Sequence, residues 1–126
     1  MGAQGRLDDY VIRTDVKYGP LETIDVDALQ RSLEPWYNQT LCRVNDMVMR
    51  LGVVEGAFHW HRHDKDDEFF YVIDGRLIVD VEGRDSVELT PGQGFVVPAG
   101  TVHRTRAPVR TAMLMAATAE VRPTGD

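Results

Sequence analysis

Three of the four histidines in this 126-residue chain, His59, His61 and His63, alternate within one short stretch, and that alternation constrains the fold more than any other feature. In an extended strand the side chains at i and i+2 share a face. The segment from Gly56 to Gly75 therefore reads as a strand presenting His61 and His63 side by side, then a charged turn, then a second strand through the apolar run Phe69-Phe70-Tyr71-Val72-Ile73. A turn there lets Glu68 swing back across the neighbouring strand and face the imidazoles. Two neutral imidazoles and a carboxylate on one wall suit a divalent transition metal. His103 follows a second turn, Pro98-Ala99-Gly100, and could supply a fourth ligand.

The rest of the chain is consistent with short strands separated by turn chemistry. Leu41-Cys42-Arg43-Val44 and Met47 to Val53 flank Asn45-Asp46, a good two-residue hairpin turn. In the second of these strands Met47, Met49, Leu51 and Val53 are expected to face inward and Arg50 to face water. Arg76 to Val81 alternates Leu77, Val79 and Val81 against Arg76 and Asp80. Ser86 to Leu89, Phe95 to Val97 and Thr111 to Ala117 complete the strand set, with turns at Gly83-Arg84, Pro91-Gly92 and Pro98-Ala99-Gly100. Ahead of them, residues 1–9 read as a polar, poorly ordered start and Tyr10 to Arg13 as a short strand. One helix follows, capped by Asp25 or Asp27, carrying Leu29 and Leu33 on one face and stopped by Pro35. Trp36 and Tyr37 are placed to cover a barrel opening. This predicts an N-terminal arm over residues 1–40 and an all-β barrel or sandwich over 41–126.

With those residues in order, the chain resembles the cupin family. The family's first motif runs Gly, five residues, His-x-His, three or four residues, Glu, six residues, Gly. Gly56, His61, His63, Glu68 and Gly75 follow it, with four residues instead of five after Gly56. The second motif, Gly, five residues, Pro-x-Gly, two residues, His, three residues, Asn, is matched by Gly92, Pro98, Gly100 and His103, with Ala107 in place of the Asn. The resemblance covers roughly residues 47 to 117. It implies a double-stranded β-helix, or jelly-roll β-barrel, with a short N-terminal helix added. It also implies one divalent transition metal (Fe, Mn, Ni, Co or Zn) held by His61, His63, Glu68 and His103.

The remaining candidates keep two readings each. His59 shares the phase of His61 and His63, so it is either an acid–base group in the pocket or the occupant of a polar niche at the barrel rim. Phe70, in phase with Glu68, is either an apolar pocket wall or core. Thr105, in phase with His103, could line the same cavity. Arg104 and Arg106 are out of phase and expected to face solvent or an interface, unless a substrate carboxylate recruits one. Fold does not fix reaction on such a scaffold. A metal-dependent dioxygenase or isomerase acting on a small polar or aromatic metabolite is the leading expectation. A non-catalytic metal- or sugar-binding module is the alternative.

Composition bounds the partners. A net charge of −6 argues against a general affinity for nucleic acid. No apolar run is long enough to cross a bilayer, and the first residues lack the apolar stretch of a secretory leader. Cys42 is the lone cysteine, a small apolar core residue in the simplest reading, which suits a reducing cytoplasm. Small barrels of this kind commonly pair. A homodimer is therefore expected, with Tyr10 to Arg13 as the strand added to a partner's sheet.

Overall fold

The structure is a computed structural model that describes residues 9–125, so most of the stretch read as a poorly ordered start lies outside the described residues. Eight strands and one helix follow in the order β1 (Val11–Arg13), α1 (Val26–Arg31), β2 (Tyr37–Val44), β3 (Met47–Ala57), β4 (Glu68–Asp74), β5 (Leu77–Val81), β6 (Val87–Leu89), β7 (Gly94–Val97) and β8 (His103–Thr118). They form a jelly roll. One sheet runs β1-β2-β3-β8-β4-β7, and β5 joins it through β8 and carries β6 on its other side. The sheet does not close into a full barrel.

β8 organises this layout. Thr111 to Ala116 pair with β3 on one side and, from Ala112 on, with β4 on the other, whereas His103 to Arg106 pair with β5. A strand was expected to start at His103 and another over Thr111 to Ala117, and β8 joins the two. The Thr-Arg-Ala-Pro stretch between the halves carries weak strand propensity, but every residue from His103 to Arg106 finds a ladder partner on β5. The predicted hairpin is present: β2 and β3 meet around Asn45, which takes the left-handed φ of 55° that such turns require.

The core fills the space between these strands with Val54, Phe70, Val72, Leu77, Val79, Met113 and Met115. Arg50 corrects the expected phase of β3. It lies in register with Met115 and Thr40, and Met115 with Phe70, so all four share the interior face. Arg50 is 5% exposed; its Nη1 donates to the Val121 carbonyl at 2.8 Å and its Nε to Thr40 Oγ1 at 3.4 Å. Leu51 and Val53, on the opposite face, are fully buried as well. The segment before α1 runs beside β2, with Lys17 and Tyr18 donating to the Thr40 and Leu41 carbonyls, and α1 packs against β3. A strand covered on both faces has no polar side for alternation to reveal.

Val11–Arg13 belong to the same sheet. β1 pairs in parallel with β2 of its own chain as the edge strand of the sheet, and β2 itself runs across the expected boundary at residue 40. Of the two possible caps, Asp25 holds the helix, accepting from the Ala28 amide at 3.0 Å. The helix ends at Arg31, before Leu33, and its buried residue is Gln30. Arg110 of β8 fixes it by donating to Gln30 Oε1 at 3.0 Å, to the Leu33 carbonyl at 2.9 Å and to the Gln30 carbonyl.

Candidate metal centre

His61, His63, Glu68 and His103 converge as expected: one ligand atom from each, and all of these lie within 4.8 Å of one another. The local structure that brings them together differs from the regular strand predicted for His61 and His63. Only His61 is in a β-bridge, exchanging two backbone hydrogen bonds of 2.9 Å with His103. His63 is held by its carbonyl, which accepts from the Gly100 amide at 2.8 Å. Asp67 in the charged turn accepts from the Ala99 amide at 2.9 Å, tying that turn to the Pro98-Ala99-Gly100 turn. The two motif turns thus brace each other.

Two imidazoles are oriented through their far nitrogens. His61 Nδ1 donates to the His59 carbonyl at 3.0 Å, and His103 Nδ1 donates to the Thr101 carbonyl at 2.9 Å. A carbonyl can only accept, so both Nδ1 atoms carry protons and a neutral ring presents the Nε2 lone pair. His103 Nε2 is buried without a hydrogen-bond partner, 3.8 Å from Glu68 Oε1. His63 Nε2 approaches the same oxygen at 3.1 Å. Burial pushes the His61 pKa down to about 4, keeping that ring neutral at physiological pH. Burial alone would raise the Glu68 pKa, but the surrounding imidazoles, with His63 Nε2 in hydrogen-bond contact, outweigh it and hold the carboxyl below its ordinary value. Three imidazoles, a stable carboxylate and an orphaned lone pair in a buried pocket fit a divalent transition ion.

A small cavity of about 20 Å³ adjoins the cluster, bordered by Tyr10, Asn38, Phe58, His61, Glu68 and Phe70. Phe70 is both pocket wall and core, and Thr105 lines the same space. Trp36 covers it as expected, packed against Tyr10 and Phe58 at centroid distances of 5.3 and 5.9 Å. His59 takes the rim niche: its Nε2 donates to the Thr124 carbonyl at 2.7 Å, and it stands outside the four-residue cluster. The chain's last described turn is thereby drawn over the site. Pro123 borders the cavity, and Gly125 lies so close that a Cβ there would come within 2.6 Å of the His61 Cβ.

Arg104 and Arg106 do not simply face solvent. Their Nε atoms donate to Asp80 Oδ2 at 2.9 and 2.8 Å, Ser86 donates to the other oxygen, and Trp60 stacks over Arg104 at 5.0 Å. Asp80, expected to be a water-facing strand residue, is 6% exposed beneath them. The sequence reading missed Asn38, whose Asn-Gln-Thr context resembles a glycosylation acceptor but which is 1% exposed. Only its register with Gly52, and through Gly52 with Met113, puts it on the cavity face.

Residues 47–117 match the cupin domain family. Over 77 residues the chain is 40% identical to the uncharacterized protein YdbB of Bacillus subtilis (strain 168), covering 61% of this chain and 68% of that one. Among solved structures, a cupin-2 domain containing protein from Shewanella frigidimarina superposes with a TM-score of 0.66 at 28% identity, covering 71% of this chain and 87% of its own. Protein NMB1881 from Neisseria meningitidis gives 0.70 at 20% identity, covering 77% and 99%, a likeness of fold alone.

Proposed function

The chain belongs to the cupin family, and from that premise we propose that it is a metal-dependent enzyme acting on a small chelating metabolite, of dioxygenase or isomerase type. The observation that carries the reading is the convergence of four ligand atoms, with the His61 and His103 Nε2 lone pairs aimed by backbone carbonyls. The cluster would hold one ion of Fe, Mn, Ni, Co or Zn. A bound ion with open positions supplies Lewis acidity or a place for O₂ beside a chelating substrate. The chain's own residues do the rest. The His59 and Thr101 carbonyls fix the ring orientations, Glu68 contributes negative charge, and Phe70, Phe58 and Trp36 keep the pocket apolar. A cavity of about 20 Å³ admits little more than one water-sized group, which favours a short molecule gripped through the metal over a large one enveloped by protein. A cytoplasmic location belongs to the same reading, supported by the free Cys42. Among the described residues no helix is long and apolar enough to cross a membrane.

Elemental analysis of protein purified without added metal tests the ligand set. We expect about one ion per chain, lost for the most part in His61→Ala and His103→Ala. Chelation should lower the melting temperature, since an ion present at a hundred times its Kd stabilises the native state by about 2.7 kcal/mol. Full occupancy in the double mutant would refute the assignment. For the reaction, apo-protein reconstituted with each metal is screened against catechols, β-diketones, keto-acids and aldo-sugars, following oxygen uptake and isomer formation. Metal-dependent turnover that collapses in Glu68→Ala supports an enzyme. Tight binding with every metal and turnover with none would make this a binding module.

A further inference from the structure

Asn38, with Tyr10 and Thr105, is one of the polar side chains in the cavity that the ligand cluster does not use. It is 1% exposed, and its Oδ1 has no hydrogen-bond partner. The other end of the amide is engaged, with Nδ2 donating to the Tyr10 hydroxyl at 3.3 Å. Burial raises the Tyr10 pKa to about 12, so the phenol stays neutral. Val54, Phe70, Met113 and Met115 give the same cavity much of its apolar lining. Gly52, opposite Asn38 on β3, keeps this floor open, because a Cβ there would come within 2.9 Å of the Met115 Cε. A buried acceptor without a donor is costly, and native structures seldom keep one unless water or a ligand serves it.

We propose that Asn38, steadied by Tyr10, forms an oxygen-sized subsite that accepts a hydrogen bond from a hydroxyl of the chelating ligand. This rests on the metal reading above and narrows it. The cavity has room for about one water-sized group, and its unserved polar atom is an acceptor. The ligand class is therefore a short hydroxylated chelator, with two oxygens for the metal and one further hydroxyl for Asn38. A bare aromatic would leave the amide oxygen unpaired.

Glycerate and lactate share an α-hydroxycarboxylate and differ by one hydroxyl, so they isolate the subsite. Wild-type and Asn38→Leu proteins are loaded with Co(II), checked for equal metal content, and titrated with each acid while the visible spectrum of Co(II) is followed. Wild type should hold glycerate about tenfold tighter than lactate, the usual scale for leaving or serving one buried acceptor. Asn38→Leu should lose that preference, and Tyr10→Phe, which frees the amide to turn, should reduce it. Asn38→Ser replaces the leucine variant if that one does not fold, with the same loss required. A wild type that takes up Co(II) but shows no preference overturns the subsite while leaving the metal centre standing. A preference that survives in the Asn38 variant also overturns it. Failure to bind Co(II) at all would remove the metal reading and this inference with it.

Discussion

Asp80 shows how one side chain's environment departs from its place in the alternation. Its carboxylate sits beneath Arg104 and Arg106, and burial alone would raise its pKa. The hydrogen bonds from Arg106, Ser86 and Arg104 win, holding it well below the usual carboxylate range. The folded-state pKa is depressed, so the stabilisation is present above the unfolded value near 3.8 and is lost as the pH falls below it. Asp80→Asn should cost about 1–2 kcal/mol at neutral pH, since both arginines keep part of their hydration. Urea unfolding of the two proteins should show that gap shrinking as the solution is acidified below about pH 4. A gap of constant size down to pH 3 would mean that the clasp contributes nothing through charge.

Turns and strand pairings show the same dependence one level up. Gly75 closes the β4–β5 turn at a φ of +87°, and a Cβ there would run into the Arg110 carbonyl and the Thr111 backbone. Gly83 has a similar φ of +79° with nothing near its missing side chain. Gly83→Ala should therefore cost only the left-handed backbone penalty, about 1 kcal/mol. Gly75→Ala adds a collision with β8 that backbone atoms cannot relieve, and should cost about 3 kcal/mol or more. Equal melting temperatures for the two variants would contradict this packing. Gly75 was legible as a motif position, but its contact with Arg110 was not, because that neighbour arrives from 35 residues further along the chain.

For the whole molecule, the C-terminal residues matter more than their distance from the motifs suggests. Arg50 holds the Val121 carbonyl, His59 holds that of Thr124, and Pro123 borders the cavity. Ending the chain after Val121 should speed chelator-driven metal loss, measured by a colorimetric chelator, without changing the number of ions bound. An unchanged rate would show that the tail does not control access. We also propose a homodimer, and besides the edge strand β1 a second surface is suited to it. Val96 and Phe69 are exposed at 52% and 36% and pair in register with each other, and the row continues through Ala116 and Met49. An uncharged apolar row on one sheet face is complementary to a second copy of itself. Light scattering should give twice the chain mass, and Phe69→Lys should return it to the monomer value. A monomeric wild type at micromolar concentration would exclude the pairing.

The sequence by itself determined an all-β sandwich or barrel, the hairpin at Asn45-Asp46 and the grouping of His61, His63 and Glu68, while the jelly roll and the place of His103 followed from the cupin resemblance. Those features rest on local turn chemistry and on spacing within short segments, which the chain carries wherever it folds. Tertiary structure alone decided that Arg50 points inward, that Asp80 is clasped, that His59 holds the tail and that Asn38 faces the cavity. Each of these depends on which distant strand supplies the neighbour and in what register, and a one-residue slip would turn every such side chain to the opposite face.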